Sequence, residues 1–390
     1  MKKIFAMALA AIMAAAAFAG CGAKTGTSSS QAASEAETAS GETIKIGCLA
    51  PLTGEISTYG IAASNGIKLG IDEINENGGI GGKQIELITL DEKGDPTEAV
   101  NAYNKLVDQG IVALIGDVTS KPCLAVAEVA LQDNMPMLTA TGTAADITQV
   151  GENVFRTCFM DPFQGQIMAT FAADNLSAKK VAAIFDTSSD YSQGLAESFK
   201  AQADTKGMEV VAFEGYAAAD TDFTTLLNKV IATAPDALFV PDYYGDVSLI
   251  LDQARTAGFE GAILGGDGWD GVLSTLPADK YTVANNGYFS NHYSAADEAA
   301  AAFLEKYKAE FNMDGNAFAA LGYDSAFIMA DAIERAGSTD SQAIIDALKA
   351  SEFDGVTGHI TFDENGDPIK SVAVTKFVDG KTELAAKVEA

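Results

Sequence analysis

Cys21 is the residue whose neighbours most plainly prescribe a reaction in this 390-residue chain. Lys2 and Lys3 give a basic start and Ile4 to Phe18 an apolar run. Ala19-Gly20-Cys21 then closes it with small residues and a thiol, the pattern at which exported leaders are cut and their cysteine lipidated. The run is short for a mature bilayer span, which needs about 20 residues. A plain secretory signal with an incidental cysteine is the blander account, and Phe18 stands where Leu is more usual. The expectation is a leader over 1–20 and a mature chain that begins at Cys21, outside the cytoplasm, held to the cell membrane by lipid. Other reactive constellations are sparse. His292 and His359 are the only histidines, and neither sits in a motif with a Ser or Cys partner. No Gly-x-Ser-x-Gly elbow, phosphate loop or zinc-ligand spacing occurs. Cys48, Cys123 and Cys158 lack any C-x-x-C arrangement and are read as free thiols, with Cys48 and Cys158 packing as small hydrophobes in apolar strands. Neither metal nor cofactor is expected, and an enzyme is not the reading these residues favour.

The elements around these residues divide the chain. Residues 22–41 are almost wholly Gly, Ala, Ser and Thr, with no aromatic or large aliphatic side chain. Such a stretch cannot bury enough apolar surface to offset its ordering entropy, so 21–42 reads as a lipidated cysteine and a flexible tether. Its ends would lie on the order of 25 Å apart. The body beyond is long enough for two ordinary domains. Apolar runs at 43–49, 84–91, 112–116 and 136–141 alternate with helical periodicity at 62–77, 96–109 and 121–133. A second series, with strands at 181–186, 209–213, 237–241 and 262–265, alternates with helices at 192–206, 223–233 and 247–257. That grammar predicts an α/β chain of two doubly wound lobes, each a parallel sheet with helices on both faces, and a cleft lined by strand-to-helix loops. Gly78 to Gly82 follows a helix and precedes a strand, the reverse of a dinucleotide fingerprint, and reads as a helix stop and turn. With 25 basic against 54 acidic residues the net charge is −29, and −31 once Lys2 and Lys3 leave with the leader. The three arginines (Arg156, Arg255 and Arg335) form no basic stripe, so nucleic acid is not an expected partner.

An ordered series of loops carries a family resemblance. Gly47-Cys48-Leu49-Ala50-Pro51-Leu52-Thr53-Gly54, then Tyr59-Gly60 and Gly66, resembles the start of the branched-chain amino-acid binding proteins of ABC transporters. Asp72-Glu73-Ile74-Asn75 through Gly78-Gly79-Ile80, the Asp91–Pro96 loop, Ile115 to Ser120 and Ala140 to Thr143 are similar to the same family. The likeness covers residues 44 to 380. It implies a type I periplasmic-binding-protein fold with three hinge strands near Thr157, Asn291 and Asp363. The first lobe would comprise 43–157 and 291–363, the second 158–290 and 364–390.

The resemblance also implies site residues. Ser120 matches the serine that holds a ligand carboxylate at a helix start, where free N–H groups and a partial positive charge welcome an anion; alone it would read as a helix N-cap. Thr143 matches a second contact to carboxylate and amine, and Thr141 supplies a backbone carbonyl to the ammonium. Asp267, in Gly265-Gly266-Asp267-Gly268, falls where the family places an acid against that ammonium, with Asp here for Glu. By itself an acidic loop residue would be solvated. Tyr191 matches a tyrosine that closes over the ligand and Tyr243 a further cleft aromatic, while Tyr59 and Trp269, the only tryptophan, are additional candidates for side-chain contact. Two departures stand out. Gly94 and Thr119 occupy the places of a disulfide common in Gram-negative members, and Lys121-Pro122 replaces small polar residues.

Together these imply a monomeric solute-binding lipoprotein of an ABC importer that captures an α-amino acid, Leu, Ile or Val, and delivers it to membrane permease subunits. Another amino acid, a short amide or urea is an alternative ligand. An amino-acid sensor that signals to a membrane kinase or chemoreceptor is an alternative role.

Overall fold

The computed structural model describes residues 43–294 and 298–388. Leader, Cys21 and tether lie outside the described residues. The first strand, β1 (Ile44–Ala50), is buried along nearly its whole length, as a central parallel strand covered on both faces must be. It is followed by α1 (Ser57–Glu76), β2 (Ile85–Asp91), α2 (Pro96–Asp108), β3 (Ala113–Ile115), α3 (Ser120–Gln132), β4 (Met137–Thr139), the short α4 (Asp146–Gln149) and β5 (Val154–Arg156). These strands form one parallel sheet in the order β2-β1-β3-β4-β5.

The chain then enters a second sheet through α5 (Asp161–Asp174). Next come β6 (Lys180–Asp186), α6 (Asp190–Thr205), β7 (Glu209–Tyr216), α7 (Thr224–Ile231), β8 (Ala237–Phe239), α8 (Tyr244–Thr256), β9 (Ala262–Gly265), the short α9 (Val272–Thr275) and β10 (Gly287–Asn291). It returns to the first sheet's side with α10 (Glu298–Phe311), α11 (Ala317–Ala336), α12 (Ser341–Lys349) and the hairpin of β11 (Glu352–Gly355) with β12 (Gly358–Thr361). It finishes in the second sheet with β13 (Val372–Val378) and β14 (Lys381–Val388). The second sheet runs β14-β13-β10-β9-β8-β6-β7, its β6 to β10 parallel and its last two strands antiparallel. Stripped of those two, the order β7-β6-β8-β9-β10 repeats that of the first sheet. Each lobe is doubly wound, with a switch point between its first and third strands, where ligands of such sheets bind.

Expected elements agree with the observed ones to within a few residues through β9, except that α1 begins five residues before the periodicity at Ala62. The Gly78–Gly82 segment is the expected turn, with positive φ at Gly78, Gly79, Gly81 and Gly82. Helices α1 and α11 meet through glycine: a Cβ on Gly66 would lie 2.0 Å from the Ala319 carbonyl oxygen, and one on Gly322 would lie 2.3 Å from that of Ala63. That approach brings Phe318, at the start of α11, over the end of the first sheet. Cys48, Cys123 and Cys158 are all buried and free.

Candidate functional site

In the first lobe the loop after β3 turns into α3 at Thr119, whose own side chain makes no cap bond to the first-turn N–H groups of α3. Ser120 is therefore the first helical residue and not the cap. Its Oγ accepts the Ala144 N–H at 3.2 Å. Thr141 Oγ1 donates to the Val118 carbonyl at 2.7 Å and Thr139 Oγ1 to that of Asp117 at 2.6 Å, which welds the loops after β3 and β4 together. Arg156, wholly buried, braces the same segment from behind. It donates to the carbonyls of Gly142 (3.0 Å), Ala144 (2.9 Å) and Ala145 (3.2 Å) while its Nε lies 2.6 Å from Asp367 Oδ1. Behind the loop after β3, the buried carboxyls of Glu92 and Asp117 act on each other at close range, and Glu92 Oε1 and Asp117 Oδ2 meet no other hydrogen-bond partner among the described residues. Burial, and for Glu92 also the neighbouring charge, raises both above the ordinary carboxylate range, so the pair holds a proton. This acid pair joins the two loops that the disulfide joins in the resembled family.

In the second lobe, Asp267 follows β9 in a short 3-10 turn, Asp267–Trp269. The flanking glycines are needed for space: a Cβ on Gly266 or Gly268 would sit 2.7 or 2.8 Å from Tyr191 Oη. Tyr191 donates to Asp267 Oδ1 at 3.0 Å and accepts the Gly268 N–H at 2.9 Å. Gln164, from α5, donates to the same Oδ1 at 3.1 Å and accepts the Asp267 N–H at 3.0 Å. His292 Nε2 lies 2.8 Å from Oδ2. Asp267 is only 3% exposed, which removes the account of it as a solvated surface acid. Tyr243 stacks on Tyr191 with ring centroids 4.9 Å apart, and its hydroxyl accepts the Ser120 N–H from the opposite lobe. Burial holds the Tyr191 and Tyr243 hydroxyls well above their ordinary range, so both remain protonated.

Ser120, Thr141, Thr143, Tyr191, Tyr243 and Asp267 line one small cavity between the lobes, together with Val118, Thr119, Gly268 and Phe318; closed as it is here, it leaves a free volume of about 10 Å³. Tyr59 stands beside it in the cleft, stacked on Phe318 with centroids 4.4 Å apart. Its hydroxyl donates to the Gly268 carbonyl and accepts the Tyr244 N–H at 3.0 Å, bridging the lobes. Trp269 requires a correction. The turn that aims Asp267 at the cleft aims the next-but-one side chain into the core. Trp269 is wholly buried against Phe377, its indole N–H donating to the Val240 carbonyl at 2.8 Å, so it is neither a cleft contact nor a surface aromatic. Arg156, Gln164, His292 and Phe318 escaped the sequence reading. The lack of a Ser or Cys beside His292 was real, but its partner is an Asp distant in sequence. The one available signal was polar or charged residues inside apolar stretches.

Two lobes of like topology, closed on a small cavity with hydroxyl and N–H groups on one side and a carboxylate on the other, define the class of two-lobed ligand-binding proteins of type I. The chain belongs to the family described as Periplasmic binding protein, whose profile it matches over residues 43–382. That is a family of solute-binding proteins. A Leu/Ile/Val-binding protein homolog from Brucella melitensis is 34% identical over 345 residues, 87% of this chain and 92% of the relative. The leucine-, isoleucine-, valine-, threonine- and alanine-binding protein of Pseudomonas aeruginosa is 30% identical over 84% of this chain and 87% of its own. Among solved structures, the branched-chain amino acid transporter substrate-binding protein of Streptococcus pneumoniae, in complex with isoleucine, is 35% identical with a TM-score of 0.83, covering 90% of this chain and 99% of that one. A leucine-binding protein from Thermotoga maritima is 36% identical with a TM-score of 0.81, covering 89% and 99%.

Proposed function

We propose that this protein is an extracytoplasmic solute-binding lipoprotein that captures leucine, isoleucine or valine between its lobes and delivers it to the permease of an ABC importer. The observation that carries the reading is the polarity of the cavity. The start of α3, with Ser120 and Thr143, faces a carboxylate's needs, and the buried Asp267 faces an ammonium's. A zwitterion satisfies both. Among the described residues no basic side chain lines the cavity, so its anion-accepting end works through N–H groups and the helix dipole. Asp267 keeps one acceptor position open: a carboxylate offers about four lone-pair sites, and Gln164, Tyr191 and His292 use three. Phe318 and Val118 offer an aliphatic side chain apolar contact, and the isoleucine bound by the Streptococcus pneumoniae protein carries such a side chain.

Lobes with boundaries at 43–157 with 291–363, and 158–290 with 364–390, would open and close about the crossings near Thr157, Asn291 and Asp363. The permease would read the closed form. Lipid on Cys21 would keep a monomer at the membrane, and no covalent chemistry is required of it. Calorimetry with leucine, isoleucine, valine, N-acetyl-leucine and leucine methyl ester tests the ligand. Tight binding of the free amino acids alone is expected, and equal binding of the blocked compounds would overturn the reading. Mass spectrometry of membrane-extracted protein tests the anchor, with a mature N-terminus other than Cys21 as the adverse result.

A further inference from the structure

His292 stands just after β10, at the second crossing between lobes, and is wholly buried. Its ring stacks on Phe159 of the first crossing, centroids 3.7 Å apart and planes 22° from parallel. Nε2 meets Asp267 Oδ2 at 2.8 Å, and Nδ1 has no hydrogen-bond partner among the described residues. A charged imidazolium here would bury a second N–H without an acceptor, so the ring is the neutral tautomer protonated on Nε2. Burial, which outweighs the neighbouring Asp267, lowers its proton affinity in the same direction. The charged groups acting on it are Asp267, from the loop after β9, and Lys370, from the third crossing.

A neutral donor at this place does two things that a cation would not. It takes one lone pair of Oδ2 and fixes the direction of the other. It also leaves the negative charge of Asp267 unspent, available to a ligand ammonium. From this geometry we infer that His292 is a positioning residue of the binding site: it holds Asp267 oriented for the ligand's ammonium, and ties that acid to the crossings about which the lobes move. The inference rests on Asp267 being the ammonium partner.

The experiment is calorimetry on the full chain with L-leucine, L-isoleucine and L-valine at pH 7. It compares the wild type with His292→Gln, His292→Asn, His292→Leu and Asp267→Asn. Gln carries an N–H to the reach of Nε2, whereas Asn falls short and Leu offers none. The expected result is His292→Gln within about threefold of wild type, and a loss of tenfold or more for His292→Leu and His292→Asn. Should Leu fail to fold, the Gln and Asn pair decides. Equal losses in all three His292 variants, or no loss in any, would overturn the positioning role while Asp267→Asn remains impaired. Unimpaired Asp267→Asn would instead overturn the ammonium reading, and this inference with it.

Discussion

The two lobes place loops of the same topological rank around one cavity, yet fill them with different chemistry. After the first, third and fourth strands of the first sheet come Tyr59, Ser120 and the Thr141–Thr143 loop; after β6, β8 and β9 come Tyr191, Tyr243 and Asp267. The first lobe presents hydroxyls and a helix start, stiffened by bonds to its own backbone and by the carbonyl clamp of Arg156. Its partner presents a full negative charge held by a side-chain network through Gln164, Tyr191 and His292. The difference follows from what each end of a zwitterion requires. A carboxylate can be met by N–H groups that every helix start already offers. An ammonium in a closed site needs an explicit countercharge, because unpaired burial is costly. The topology therefore brings the loops together, while the supports set their charge.

That contrast can be broken at its charged end first. Asp267→Asn should keep the fold, because the residue lies at the cleft, and lose about 2–5 kcal/mol of amino-acid affinity. Calorimetry on both proteins reads this, and an unchanged Kd sinks the assignment. At the uncharged end the loss should be smaller. Ser120→Ala removes one hydrogen bond to a charged group, about 1.5–3 kcal/mol, while the N–H groups of α3 persist. A larger loss than that of Asp267→Asn would reverse the ranking of the two ends.

Between the lobes, Tyr59→Phe leaves the Gly268 carbonyl and the Tyr244 N–H without their shared hydroxyl. About 1–2 kcal/mol of affinity should go, with ligand selectivity unchanged. A shift in preference among leucine, isoleucine and valine would show that Tyr59 touches ligand and not only the partner lobe.

The smallest effect expected is on stability. Glu92 and Asp117 hold their proton more tightly folded than unfolded, so the folded state binds more protons above the ordinary Glu value of 4.5, and stability falls as pH rises through the raised range. Glu92→Gln supplies a fixed N–H donor to Asp117 in place of that proton. Its thermal unfolding should lose less stability than the wild type between pH 5 and pH 8, by about 1 kcal/mol. Parallel Tm-against-pH curves would show that the pair is not a proton-holding link between the first lobe's loops.

The alternation of apolar runs with helical periodicity was readable because each buried parallel strand must be apolar on both faces, whatever the rest of the chain does. The loop residues that follow those strands were legible for the same reason: a strand's end is a local event, and topology carries all such ends to one side of the sheet. Everything beyond one strand and its loop was not. Trp269 and Asp267 are two residues apart in one glycine-rich turn, and only the turn's backbone decides that one faces the cleft and the other the core. Gln164 and His292 reach Asp267 from 103 and 25 residues away, and Arg156 meets Asp367 across the third crossing. Such pairings carry no local signature. They arise when separate elements are packed together and a buried polar group must find its partner among whatever the fold has brought near.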